Sequence, residues 1–230
     1  MRFRRKATET TEEAVGEPRD GAPEAAADPG PTDDAPAGDV RSEGPRDLSE
    51  TDVDAETEGW VDLTSLLVTG QPGLELRMQV DESTQTVVAV LFTGDEGAVE
   101  LRPFAAPRSG GMWDEIRGQI AEDAQRRGAT VEEGPGPFGP ELRVMMPVKT
   151  TDGREGHQPS RMFGIDGPRW FLRATLLGKP ALDPEAAGPY VDAVRSVVVV
   201  RGGGAMAPGD PLPITVPPQA RRLGPTSGSE

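Results

Sequence analysis

Polar and apolar residues alternate along several segments of the chain, and this period of two is typical of β-strands with one buried face. Residues 74–81 place apolar side chains at the even positions and polar or charged side chains at the odd positions. Residues 86–93 form a run rich in β-branched residues, which predicts a strand buried on both faces. The sequence Gly94-Asp-Glu-Gly97 then predicts a tight turn into a third strand over residues 98–104.

The apolar spacing changes to that of a helix over residues 109–128, where Trp113, Ile116, Ile120 and Ala124 form one stripe. Further strands are predicted at residues 141–148, 160–165, 169–177 and 197–200, and a second helix at residues 184–195. The short connections favour hairpins. We therefore expect an α+β fold, with a mainly antiparallel sheet of about six to seven strands covered by two helices.

Composition divides the chain into four parts. Residues 1–58 hold seven basic and 17 acidic residues, and we predict a disordered acidic tail with a basic N-terminal end. Residues 59–200 form the single predicted α+β domain. Residues 201–218 are rich in proline and predict an extended segment that docks on the domain, with a partner's groove as the alternative. Residues 219–230 are predicted to be disordered.

The amino-acid counts exclude several kinds of site. The 230 residues include no cysteine and one histidine, which excludes disulfides, catalytic thiols and cysteine-ligated metals. The net charge is −15, and the predicted domain is itself acidic, so we expect its core to bind no nucleic acid. No apolar run is long enough to cross a bilayer, and we expect a cytoplasmic protein. The basic residues 2–6 leave weak contact with a membrane surface as an alternative.

The motifs that suggest catalysis or cofactor binding do not fit their context. The sequence Gly134-Pro-Gly-Pro-Phe-Gly139 matches a dinucleotide-binding pattern, but it follows a predicted helix and its prolines lack N–H donors. His157 lies in a predicted polar loop, and the nucleophile motif of hydrolases is absent from the sequence. We therefore predict no catalytic residue, no metal ligand and no cofactor.

The start of the first predicted helix is a candidate anion site. Arg108, Ser109, Gly110 and Gly111 precede the helix, where unpaired N–H groups and the helix dipole attract negative charge. The alternative is an ordinary helix start with Ser109 as the N-cap residue.

The polar positions of the predicted strands form a candidate interaction face. By alternation they lie opposite the apolar stripe, and they comprise Glu75, Arg77, Glu100, Arg102, Glu141, Arg143, Arg173 and Thr175. Met145 would supply an apolar contact, and Arg169 and Trp170 would form one edge of the face. Mixed charges on neighbouring strands are equally consistent with cross-strand ion pairs, and the sequence leaves both readings open.

Several motifs point to a known family. They are Leu74-Glu-Leu-Arg-Met78, Arg102-Pro-Phe-Ala-Ala-Pro-Arg108 with Trp113, Gln158-Pro-Ser-Arg161, Asp166-Gly-Pro-Arg-Trp-Phe-Leu-Arg173 and Val198-Val-Val-Arg-Gly202. Together with the Pro-rich residues 206–213, they resemble the actinobacterial domain-of-unknown-function family 3710 over residues 60–217. The resemblance implies an actinobacterial source, and it implies no particular activity, cofactor or site residue.

From the sequence we expect a non-catalytic cytoplasmic domain that binds an unidentified protein partner. The first alternative is a sensor of small anions or nucleotide phosphates that uses Arg108, Ser109 and the glycines that follow. The second alternative is attachment to a membrane surface through residues 2–6.

Overall fold

The computed structural model describes residues 41–53, 56–149 and 153–217. In this part of the chain the strands are β1 (Arg46–Asp47), β2 (Trp60–Asp62), β3 (Leu66–Thr69), β4 (Glu75–Asp81), β5 (Thr86–Gly94), β6 (Gly97–Ala105), β7 (Thr130–Gly136), β8 (Gly139–Lys149), β9 (Glu155–Gly167), β10 (Trp170–Gly178) and β11 (Val198–Val199). Helix α1 (Met112–Arg126) lies between β6 and β7, and helix α2 (Pro184–Arg195) lies between β10 and β11. These elements belong to one unit, Ala37–Glu230.

Seven strands form one antiparallel sheet in the order β4-β5-β6-β10-β9-β8-β7. The hairpins follow local signals, since β4 pairs with β5 and β5 turns into β6 between Gly94 and Gly97. Strand β10 lies at the centre and pairs with both β6 and β9. The α+β fold with a mainly antiparallel sheet and two helices is confirmed.

Residues 134–139, which match the dinucleotide-binding pattern, form the end of a β-hairpin. Strand β7 ends at Gly136, Pro137 and Phe138 form the turn, and β8 begins at Gly139. Because β7 is at the edge of the sheet, it tolerates Pro135 without interrupting a ladder on both sides. Phe138 reaches the hydrophobic core and is 3% exposed.

A smaller sheet, in the order β1-β11-β3-β2, includes residues that precede position 59. Strand β1 runs parallel to β11, with Arg46 beside Val198 and Asp47 beside Val199. The predicted boundary at residue 58 is therefore too late, because this pairing and the burial of Asp47 make residues 44–53 part of the fold. The rest of the predicted N-terminal tail, residues 1–40, lies outside the described residues, as do residues 218–230.

The two helices cover opposite faces and different halves of the large sheet. Helix α1 packs on β7, β8 and β9, and its core contains Trp113, Leu142 and Phe171. Helix α2 packs on β6 and β10 from the other side, and its core contains Leu101 and Leu172 and extends to the small sheet. On the α1 side, the half of the sheet formed by β4, β5 and β6 therefore has no helix over it in the described part of the chain.

The Pro-rich segment after β11 docks on the domain. The Leu212 N–H donates to the Pro103 carbonyl over 2.9 Å, and the Thr215 N–H donates to the Leu63 carbonyl over 3.1 Å. Leu212 and Ile214 are 3% and 8% exposed and belong to the core under α2. The segment thus continues the hydrogen bonding of β6 where β5 no longer pairs with it.

Candidate interaction face

The structure divides the predicted polar face between the two sides of the sheet. The sequence prediction failed here because the sheet has a core on each face, so the apolar stripes of β6 and β8 belong to different cores. Glu141, Arg143 and Met145 project on the α2 side, since Glu141 lies opposite Phe163 of the α2 core. The remaining polar residues project on the α1 side, from β4, β6 and the central strand β10. On this side no helix of the described chain covers β4, β5 and β6, and β10 lies between them and the strands under α1. We call this surface the open face; it comprises the ring of Phe104 and the polar residues Glu75, Arg77, Gln79, Glu100, Arg102, Arg173 and Thr175, of which Thr175 is only 8% exposed.

Two of the three arginines of the open face have acidic partners on their own strands. Arg77 pairs with Glu75 over 2.7 Å on β4. Arg102 pairs with Glu100 over 2.7 Å on β6, and its Nη2 donates to Gln79 Oε1 over 3.3 Å. These contacts hold Arg102 in place and use both acidic residues of the face.

Arg173 is the exception. Its side chain is partly buried and makes no ion pair and no hydrogen bond among the described residues. It lies opposite Arg102 in the β10–β6 ladder. Burial lowers the pKa of Arg173, the positive charge of Arg102 lowers it further, and Glu100 opposes this only in part. The open face therefore holds one arginine that forms no ion pair with any residue of the described chain.

The guanidinium of Arg173 contacts the first of a row of aromatic rings. Its guanidinium lies 5.7 Å from the centroid of the Phe104 ring. Phe104 is 6.0 Å from Phe171, and Phe171 is stacked 6.1 Å from Trp113 of α1. This row of rings joins the open face to the α1 core and restricts the positions of the guanidinium.

An apolar groove of about 260 Å³ lies beside the open face, between α1 and the sheet. We call it the methionine groove; its apolar lining includes Ile120, Val144, Met146, Met162 and Leu177. Thr175 belongs to both surfaces, because it also lines the groove two residues after Arg173 on the same face of β10. The groove and the unpaired guanidinium are therefore neighbours.

On the α2 side, Arg143 and Arg161 are already paired. Glu141 is fully buried, and its two carboxylate oxygens accept from Arg143 and Arg161, each over 2.7 Å. With Met145 and Glu132, the two arginines line a cleft of about 390 Å³ beside the start of α2. Arg143 thus has an ion-pair partner, whereas Arg173 has none in the part of the chain that the structure describes.

The predicted edge of the face does not form. Trp170 is fully buried on the α2 side, where its indole N–H bonds Asp47. Arg169 has a positive φ of 63°, and its carbonyl accepts from the Ala106 N–H and from Arg201 Nε. Trp170 therefore contributes to the core, and not to a recognition surface.

At the start of α1, the backbone N–H groups already bond a carboxylate of the protein itself. Asp166 accepts hydrogen bonds from the N–H groups of Met112 and Trp113, over 3.1 and 3.4 Å. Gly111, and not Ser109, is the N-cap residue, and Gly110 and Gly111 both have positive φ angles. Arg108 and Ser109 are exposed and lie apart from these bonds. The carboxylate of Asp166 thus uses N–H groups that the predicted anion site requires.

The structure also places the other features considered from the sequence. His157 is an exposed residue of β9, opposite Pro147 of β8. Among the described residues, no group of three or more acidic or histidine side chains could hold a metal ion. Nor does any described helix combine the length and apolar character needed to cross a membrane. Residues 2–6 lie outside the described residues.

The family model described as "Protein of unknown function (DUF3710)" matches residues 44–222. The chain belongs to this family. No curated protein matches it. The match begins two residues before β1 and extends past the docked segment, so both belong to the DUF3710 domain.

Sequence reasoning missed several residues of the open face and of the methionine groove in this DUF3710 domain. Gln79 and Phe104 share the open face with the predicted arginines, and Met146 and Met162 line the groove beside it. Alternation alone could have placed Gln79 with Arg77. The positions of the two methionines depend on which face α1 covers, and a period of two does not encode this.

Proposed function

We propose that this DUF3710 protein is a non-catalytic interaction domain whose open face binds a partner protein. The observation that carries the proposal is Arg173, a partly buried arginine of the central strand β10 without an ion pair or hydrogen bond among the described residues. It lies next to the half of the sheet that no described helix covers on the α1 side. A guanidinium in such a position loses hydration and gains no acceptor, which lowers the free energy of unfolding. A partner that supplies an acceptor would remove this penalty.

The composition of the surface also supports a protein partner. Arginine, aromatic and methionine side chains are enriched at the centres of protein interfaces, and the open face and the methionine groove offer all three. The paired residues Arg77 and Glu75 lie on the edge strand β4, where an exposed ion pair suits the rim of an interface.

The test is a comparison of three tagged full-length proteins as baits in native lysate: the wild type, R173E and R108E. Arg108 is a matched control, because it is an exposed arginine of the same domain outside the open face. We expect a partner that binds the wild type and R108E but is lost with R173E. Circular dichroism and thermal unfolding establish that R173E is folded.

Two results would contradict the proposal. One is a set of partners that R173E retains in full. The other is turnover of a substrate by the purified protein that a single substitution abolishes, since this would make the protein an enzyme. If R108E alone lost the partner, the start of α1 would instead be favoured as the binding site.

A further inference from the structure

The charges of the open face indicate what its partner presents. Three arginines and two glutamates lie on this face, and four of these five residues form the pairs Arg77–Glu75 and Arg102–Glu100. One positive charge, that of Arg173, is left without a partner among the described residues. A polyanion such as a nucleic acid or an acidic membrane needs many clustered cations. A single unpaired guanidinium suits a single carboxylate.

We infer that the partner binds through an acidic residue and a nearby apolar residue, the first on Arg173 and the second in the methionine groove. This inference rests on the proposed function and names the chemistry of the partner. Arg173 can donate two parallel hydrogen bonds to a carboxylate, because none of its five N–H groups has an acceptor among the described residues. The carboxylate would also offset the repulsion between Arg173 and Arg102.

The spacing of the two subsites points to an extended segment. Arg173 and Thr175, which lines the groove, are two residues apart on one face of β10. Their Cα atoms are therefore about 6.6–6.8 Å apart along the strand. The guanidinium extends over Phe104, which lies opposite Phe171 and away from Thr175, so the two subsites are at least this far apart. Side chains i and i+2 of an extended partner have the same orientation and the smallest separation that fits. The partner motif is accordingly an Asp or Glu two or more positions from a large apolar residue, in either direction.

The methionine groove can accept apolar side chains of different shapes. Met146 and Met162 are unbranched and partly buried, so they can adjust to leucine, isoleucine, methionine or phenylalanine. Arg127 and Asp123 stand at its rim with opposite charges and are paired with each other over 3.4 Å. The rim therefore adds no net charge to that of Arg173.

The test is selection of a random dodecapeptide library on the full-length protein and, in parallel, on R173M. We expect the wild type to enrich peptides with Asp or Glu two or more positions from Leu, Ile, Met or Phe, and R173M not to enrich them. Fluorescence anisotropy of a selected peptide should show a loss of binding of about tenfold or more with R173M. The same loss is expected when the acidic residue of the peptide is replaced by its amide, whereas R108M should bind like the wild type.

Subsite mapping and competition complete the experiment. Replacing Met162 with Glu should weaken the peptide whose apolar residue is leucine, and millimolar inorganic phosphate should not displace it. The inference is overturned by basic or proline-rich enriched peptides, by enrichment that R173M retains, by no enrichment, or by displacement with phosphate. Self-association that R173M abolishes would also overturn it, by making a second copy the occupant. A lysate partner lost with R173E would still support the proposed function in these cases.

Discussion

The indole Nε1 of Trp170 donates a hydrogen bond to Oδ2 of Asp47 over 2.7 Å, across 123 positions of sequence. Both residues are buried, and Asp47 also accepts from the Ser49 N–H as the N-cap of the 3-10 helix Leu48–Glu50. One carboxylate therefore joins β1 to β10 and caps the start of the short helix that follows β1. This contact explains why the fold begins before residue 59.

Replacing Asp47 with Ala should lower the free energy of unfolding by about 2–3 kcal/mol. The substitution leaves the buried Trp170 N–H without an acceptor and removes the cap of the short helix. Urea unfolding followed by tryptophan fluorescence measures the change, and D52A, at an exposed residue nearby, is the control. Equal stabilities of D47A and D52A would show that the contact contributes little.

The docked C-terminal segment should contribute to stability through its buried side chains. Leu212 is 3% exposed and Val216 is 48% exposed. We expect L212A to lower the free energy of unfolding by about 2–4 kcal/mol and V216A to change it by less than about 0.5 kcal/mol. Denaturant unfolding of the two full-length variants tests this, and a small effect of both would mean that the segment detaches readily in solution.

The elements that the sequence predicted well are those with local signals. Helix α2 begins at Pro184 and ends at Arg195, as predicted, because Asp183 caps it and proline fits its first turn. Helix α1 is shorter than the predicted residues 109–128, since its N-terminus is bonded by the distant Asp166 and not by Ser109. Strand β4 follows from alternation, β5 from its run of β-branched residues, and β6 from the tight turn between Gly94 and Gly97.

Features that depend on distant parts of the chain could not be predicted in this way. Strand β1 has two residues and no periodic pattern, and its place depends on β11 and on Trp170. The side of the sheet on which Arg143 projects depends on which helix covers β8. For the candidate site, the arginines of β4, β6 and β10 share one face of the sheet, as alternation indicates, and their role in binding stays a prediction. Only the packed structure distinguishes Arg173, which has no ion pair among the described residues, from its paired neighbours.

The stability that Glu50 provides should depend on pH. The hydrogen bond from Arg41 holds the pKa of Glu50 below its ordinary value of 4.5, although partial burial opposes this. A carboxyl group with a lowered pKa stabilises the fold above its unfolded-state pKa, and this contribution is lost as the pH falls through the folded-state value. Glu50 is 38% exposed, so we expect E50Q to lower the free energy of unfolding by only about 0.5–1 kcal/mol at neutral pH.

Urea unfolding of the wild type and E50Q at neutral pH and near pH 3 tests the sign of this effect. The difference between the two proteins should shrink at the lower pH, where the carboxyl group of Glu50 becomes protonated. The control is E58Q, at an exposed glutamate. A difference between E50Q and the wild type that grows as the pH falls would contradict the assignment.

Replacing two partly buried arginines of the same sheet with methionine should have different effects on the free energy of unfolding. Arg161 is 12% exposed and pairs with the fully buried Glu141, so R161M should lower the free energy of unfolding by about 3 kcal/mol. Arg173 has no such partner among the described residues, and R173M should leave the free energy of unfolding unchanged or raise it by up to about 1 kcal/mol. Guanidinium unfolding of both variants measures these changes. If R173M were as unstable as R161M, Arg173 would have a structural role and the open face would lose its main argument as a binding surface.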